Sequence, residues 1–156
     1  MHERLNAYAA APETFKAMVE LSGKIAASGI EHSLQELVKI RASQINGCAN
    51  CLHMHTADAR KHGETEERIY LLAAWRESLL YTPRERAALG WTEALTLIAQ
   101  TQAPDADYEA LKAEFTDREQ VELTFLIGTI NAWNRLSVGF RTVHPNDRRM
   151  AARAAA

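Results

Sequence analysis

At 156 residues, with 47% hydrophobic and 24% charged side chains, the chain has the make-up of one soluble globular domain with a single substantial core. A formal net charge of −2, with basic residues scattered ahead of Arg148, Arg149 and Arg153, excludes an electrostatic case for nucleic acid. No apolar run reaches the length of a membrane helix, and the start Met1-His2-Glu3-Arg4-Leu5-Asn6 lacks the apolar stretch of a secretory signal, so a cytoplasmic protein off the membrane is expected.

Helical periodicity begins at Pro12, a good first-turn residue, and places Phe15, Met18, Val19 and Leu21 inward until Ser28-Gly29. A second helix follows, with Ser33 and Glu36 spaced as a capping box and Leu34, Leu37, Val38 and Ile45 on one face. Gly47 breaks that pattern. A third helix runs from Cys48 to His62, where Gly63 stops it and the helix dipole accounts for His62. A fourth covers Thr65 to Ser78, with Ile69, Leu72, Ala73 and Trp75 apolar.

Thr82-Pro83-Arg84-Glu85 combines cap, first-turn proline and box glutamate, and opens a helix to about Gln100. After a linker from Ala103 to Asp107 comes a short helix with Tyr108, Leu111 and Phe115. Thr116-Asp117-Arg118-Glu119 then caps a long helix whose Leu123, Phe125, Leu126, Ile127, Ile130, Trp133 and Leu136 fall on several faces, so it belongs at the centre or at a subunit interface. In that helix Asn131 and Asn134 read as buried hydrogen-bonding groups and Trp133 as core. The terminus, residues 145–156, ending in Ala154, Ala155 and Ala156, reads as frayed or weakly helical. The expected fold class is all-α: one domain over residues 1–156, with about six to seven helices.

The chemistry lies in Gly47-Cys48-Ala49-Asn50-Cys51-Leu52-His53-Met54-His55. At about 100° per residue, Cys48, Cys51 and His55 fall within roughly 60° of one another, while His53 points elsewhere. Cysteines at i and i+3 can reach disulfide distance, and a helix N-terminus favours a thiolate there. His55, one turn after Cys51, can take the thiol proton. A thiolate that meets a peroxide becomes a sulfenic acid, which a neighbouring thiol converts to a disulfide. Two other readings share these residues: cysteines and histidine as inert core, or a zinc site, for which no second ligand pair exists to complete a tetrahedron. Glu36 is explained by its local cap, or else by a helix pairing that aims its carboxylate at His55.

Glu36, followed twelve residues later by Cys48, then Cys51 and His55, resembles the motif of the AhpD-like proteins of the carboxymuconolactone decarboxylase superfamily. The resemblance extends over Leu37 to Gly47 and Met54 to Thr56, and to Ile130-Asn131-Ala132-Trp133-Asn134-Arg135-Leu136, spanning about residues 30 to 140. It implies an all-helical fold, thiol-dependent reduction of alkyl hydroperoxides and no cofactor. By motif position Cys51 is the peroxidatic thiolate, Cys48 the resolving thiol, and Glu36 with His55 the proton relay. The helix dipole alone favours Cys48 as nucleophile; the proximity of His55 favours Cys51. The implied partners are a dithiol or lipoyl-type reductant and further copies of the chain, in trimer-based assemblies that reach hexamers. Asn50 departs from the pattern, because the best-known hydroperoxidase of the family has a histidine there, and asparagine carries no proton at neutral pH. The decarboxylase branch lacks the cysteine pair. A thiol–disulfide reductase or a redox sensor of the same fold fits the same residues.

Overall fold

The computed structural model describes residues 2–144 together with Asn146 and Arg149. Among these residues the chain forms nine α-helices and no strand: α1 (Ala7–Ala10), α2 (Pro12–Ala26), α3 (His32–Asn46), α4 (Ala49–Lys61), α5 (Glu66–Leu71), α6 (Pro83–Thr96), α7 (Ile98–Thr101), α8 (Asp105–Glu114) and α9 (Asp117–Gly139). The class is all-α, as expected, but the count exceeds six to seven because short helices flank the long ones. Of the expected tail, 145–156, all but Asn146 and Arg149 lies outside the described residues.

Local signals place most helix ends. Thr82 and Thr116 each accept a hydrogen bond from the third backbone N–H of α6 and α9, and Glu85 and Glu119 return the bond to the cap. Gly47 closes α3 at φ +64° and Gly63 follows α4 at φ +96°, left-handed conformations that a side chain would strain. The expected capping box of Ser33 and Glu36 does not form. The α3 helix starts two residues earlier, with Glu31 at its cap position and no side-chain cap bond, so Ser33 sits inside the first turn and Glu36 faces inward.

Two longer readings also break. The stretch expected as one helix to Ser78 turns into a 3-10 segment (Leu72–Glu77) kinked at Ala74. There the Trp75 indole N–H reaches across to donate to Glu93 Oε1 at 2.8 Å. The helix expected to reach Gln100 is interrupted at Leu97, which is non-helical at ψ 27°.

The α3 helix packs against α4, α6 and α9. Leu34 and Val38 join Trp91, Leu123 and Ile127 in one apolar cluster, and Leu37 and Ile40 join Leu72, Trp75 and Leu89 in another. By contrast α2 buries Ile25 alone; Val19 and Leu21 are exposed, so the expected inward face is a cavity wall rather than core. Polar pairs fix the register of α3 on α9. Asn46 Nδ2 donates to Asn131 Oδ1 and Asn134 Oδ1, both at 2.9 Å, and Asn134 Nδ2 donates to Ser43 Oγ at 3.0 Å. Both α9 asparagines are buried, as the sequence suggested.

Replacing Asn134 by leucine takes one of two acceptors from Asn46 and the amide donor from fully buried Ser43, and an unmet buried polar group costs about 1–3 kcal/mol. Asn134→Leu is therefore expected to unfold at lower urea than the wild type, with an unchanged slope, in an equilibrium denaturation followed by circular dichroism.

Candidate active site

The turn that ends α3 delivers the cysteines. Past Gly47, the Cys48 N–H donates to Ser43 O at 3.0 Å, which fixes Cys48 as the cap residue of α4. Its Sγ accepts a hydrogen bond from the Cys51 N–H at 3.3 Å, so a sulfur takes the place of the usual capping oxygen. Negative charge on that sulfur would be stabilised by the open first turn of α4. Cys48 and Cys51 are joined as a disulfide, with Cα atoms 5.4 Å apart. Both residues are almost fully buried. Ser137 Oγ, on α9, lies 3.8 Å from Cys51 Sγ, where its hydroxyl is placed to donate to a thiolate.

One turn along α4, His55 Nδ1 stands 2.9 Å from Glu36 Oε2. The other Glu36 oxygen accepts from Lys39 Nζ at 2.7 Å, and His32 Nε2 lies 3.8 Å away. Glu36 is 2% exposed. Burial by itself would raise its pKa, but hydrogen bonds from His55 and Lys39, with the Lys39 charge, outweigh that and hold it below the ordinary glutamate value. With Glu36 ionised, the His55 nitrogen that faces it carries the proton and Nε2 is left as the basic nitrogen. The pairing that aims Glu36 at His55 is thus the arrangement found.

The ligating atoms of Glu36, His55 and Asp58 lie within 4.8 Å of one another, a group able to hold a cation. Lys39 already supplies the positive charge at Glu36, however, and a metal would have to displace the Glu36–His55 hydrogen bond. The two cysteines, bonded to each other, take no part in that group.

A cavity of about 520 Å³ opens against this cluster, within the range of small-molecule sites. Cys51 and His55 are on its wall, with Lys39, Asn50 and Ser137, and apolar side chains of α2 and α9 form most of the rest. Trp133 is part of that wall rather than core; its indole N–H donates to Ser22 Oγ at 3.0 Å and its ring meets Phe15 edge-on at 5.0 Å.

His53 is exposed and stacks against His144, consistent with its place on the wheel. His62 sits at the C-cap of α4, its Nδ1 2.8 Å from Asp58 O and its ring against His32. Arg135 donates to Asn131 O and Asn131 Oδ1. Sequence reasoning did not single out Lys39 or Ser137. Lys39 was findable three residues after Glu36 on the same helix face, whereas Ser137 carries no local signal.

A helical fold with a C-x-x-C pair at the start of one helix, backed by a buried carboxylate–histidine pair, defines an AhpD-like protein. The carboxymuconolactone decarboxylase family model matches residues 12–94. The chain belongs to the carboxymuconolactone decarboxylase family, among its AhpD-like members. Over 138 residues it is 45% identical to YdfG, an uncharacterised protein of Bacillus subtilis, covering 88% of this chain and 94% of that one. A 41-residue stretch is 49% identical to the alkyl hydroperoxide reductase AhpD of Hyphomonas neptunium, covering 26% and 23% of the two chains. A solved structure from Agrobacterium tumefaciens, described as a protein of unknown function and candidate antioxidant defence protein AhpD, superposes with a TM-score of 0.90 at 50% identity, covering 92% of this chain and 99% of that one.

Because the Glu36 pKa is depressed on folding, the unfolded chain binds more protons near pH 4.5 and below, so this group adds stability at neutral pH that is lost as pH falls through its folded value. Glu36→Gln is expected to be less stable than wild type at pH 7, with the difference shrinking towards pH 3. Urea midpoints across that range check the sign; a gap that widens in acid would contradict the buried charge.

Proposed function

We propose that the protein is a thiol-dependent peroxidase that reduces alkyl hydroperoxides through Cys51, Cys48, His55 and Glu36. The observation that carries this reading is the position of Cys51: it lines an apolar cavity, with the Glu36–His55 pair one helical turn away. The likeness over 41 residues to the Hyphomonas protein, an alkyl hydroperoxide reductase, supports it.

In the reduced protein, His55 Nε2 takes the Cys51 proton, directly or through water, while Glu36 holds the ring and offsets its charge. The Ser137 hydroxyl adds a hydrogen bond to the thiolate. Cys51 Sγ attacks the terminal peroxide oxygen; the O–O bond breaks, the alkoxide takes the proton from His55 and leaves as the alcohol, and Cys51 becomes a sulfenic acid. The Cys48 thiolate, stabilised by the first turn of α4, then attacks the Cys51 sulfur. The S–S bond forms as the S–O bond breaks, and the departing hydroxide takes up the proton that the Cys48 thiol released, leaving as water. An external dithiol or lipoyl-type reductant returns two electrons and two protons by thiol–disulfide exchange. In this division of labour the helix dipole serves the resolving thiol and the histidine serves the nucleophile, so the two signals in the sequence apply to different cysteines.

The setting proposed is the cytoplasm, as a homo-oligomer built on trimers. The support for assembly is the outer face of α9, where Val121 and Phe125 are each more than half exposed beside the groove with Met18 and Leu21. A second reading, a thiol–disulfide reductase or redox sensor of the same fold, is favoured by Asn50 on the cavity wall, which cannot relay a proton.

The reduced protein, given one equivalent of cumene hydroperoxide, is expected to lose both thiols and two mass units, and Cys51→Ser to consume no peroxide. Cys48→Ser is expected to stop at a sulfenic acid that dimedone traps. Thiols that stay reduced under peroxide but oxidise with a disulfide reagent would move the assignment to the second reading.

His55→Gln and Glu36→Gln are expected to slow peroxide reduction by about 10²–10⁴ and 10-fold or more, respectively, at pH 7. Raising the pH should recover more of the rate in each variant than in the wild type, because hydroxide replaces the missing relay. Stopped-flow rates between pH 6 and 9 read this out.

A further inference from the structure

The Gln35 side chain is 1% exposed, lines the cavity beside Cys51, and is half satisfied. Its Nε2 donates to Ile30 O at 2.8 Å and to Ala26 O at 3.3 Å. Two carbonyl acceptors on that side fix which end of the amide is nitrogen, since a flipped amide would set oxygen against oxygen. The remaining atom, Oε1, is buried with no hydrogen-bond partner among the described residues. A carbonyl oxygen left so costs about 1–3 kcal/mol, and its neighbours do not relieve it. The Lys39 ammonium is committed to Glu36, and the Trp133 indole N–H to Ser22. The apolar walls, Phe15, Val19, Ile25, Leu126, Ile130 and Leu136, offer only hydrocarbon, and the hydroxyl and amide groups elsewhere on the lining make no hydrogen bond to this oxygen.

From this we infer that the cavity takes a bulky, apolar molecule bearing one hydrogen-bond donor, and that Gln35 Oε1 receives that donor. Two features set the class. A volume of about 520 Å³ walled by aliphatic and aromatic groups is filled by an aryl or branched alkyl body, which hydrogen peroxide would leave wet. An acceptor without a donor beside it selects O–H or N–H and disfavours an ether or ester at the same place, because the buried oxygen would stay unpaired. The identity of the donor rests on the peroxidase reading: there it is the terminal O–H of the hydroperoxide. Gln35 then orients the O–O bond for attack by Cys51 and sets specificity, without entering the proton relay.

The test uses unreactive stand-ins for the hydroperoxide: 2-phenylpropan-2-ol, which keeps the O–H, and its methyl ether, which lacks it. Both are titrated by calorimetry against the full-length wild type and against Gln35→Met, which keeps length and removes the acceptor. The alcohol is expected to bind the wild type about tenfold more tightly than the ether, the worth of one hydrogen bond to a buried acceptor, and that preference is expected to vanish in Gln35→Met. Should that variant fail to fold, the side-chain carbonyl carbon of Gln35 in ¹³C-glutamine-labelled wild type is expected to move downfield with the alcohol and stay in place with the ether. Equal binding of the two ligands, binding of neither up to its solubility, or a preference that persists without Gln35 would each overturn the inference. None of these readouts needs turnover. A protein that binds the alcohol through Gln35 yet consumes no cumene hydroperoxide would keep the donor site and lose the peroxidase assignment.

Discussion

A carboxylate removed from water at the seam of two helices has to be neutralised there, and the way Glu36 is neutralised organises the site. One oxygen faces Lys39 on its own helix and the other faces His55 on α4. The first contact is local, the second is long-range and ties α3 to α4, and together they keep the carboxylate ionised. Removing Lys39 would leave the charge uncompensated in a low-dielectric setting, which costs far more than an exposed ion pair of the same geometry is worth, and removing His55 would leave a buried carboxylate oxygen without its hydrogen bond. His55 gains a fixed ring plane and a fixed proton position from the same bond, so the feature that holds the helices together also leaves Nε2 as its basic nitrogen.

The cysteines depend on a second constraint, the polar seam between α3 and α9. Asn46, the last residue of α3, is gripped by Asn131 and Asn134, and the chain reverses at Gly47 immediately afterwards. The position of Cys48 is thereby set from behind by α9, which also supplies Ser137 to Cys51 and a wall to the cavity. A long helix with apolar residues all round thus has three uses: its buried side closes the core, its asparagine pair sets register, and its C-terminal turns face the thiol. Its outer face remains apolar and open.

What the sequence made legible was whatever depends on spacing within a turn or two. The boxes at Thr82 and Thr116, the stop at Gly63 and the stripe of Cys48, Cys51 and His55 all follow from neighbours a few residues apart. Glu36 shows the limit. Ser33 and Glu36 have the right spacing for a cap, but the helix starts at His32, and the partner that matters lies nineteen positions away. The residues alone left that pairing as an alternative to the cap, and the resemblance in motif spacing favoured it. The kink at Ala74 and the break at Leu97 carry no glycine or proline; the first accompanies the long-range bond from Trp75 to Glu93, and for the second the structure offers no evident cause. The cavity was invisible for a similar reason. Phe15 and Val19 have the periodicity of a core face, and nothing in a sequence distinguishes a face that meets packed atoms from one that meets space.

The cap of α4 has a thermodynamic side. The Cys51 amide donates to Cys48 Sγ, and such a bond strengthens when the sulfur carries a full negative charge. Reduction therefore gains a stabilisation that the disulfide feels only weakly. Any device that favours the reduced form of a dithiol raises its reduction potential and makes its disulfide the stronger oxidant. A sulfur in the capping position thus biases the Cys48–Cys51 pair towards giving its disulfide away, the direction that the proposed cycle, with its re-reduction at every turn, requires.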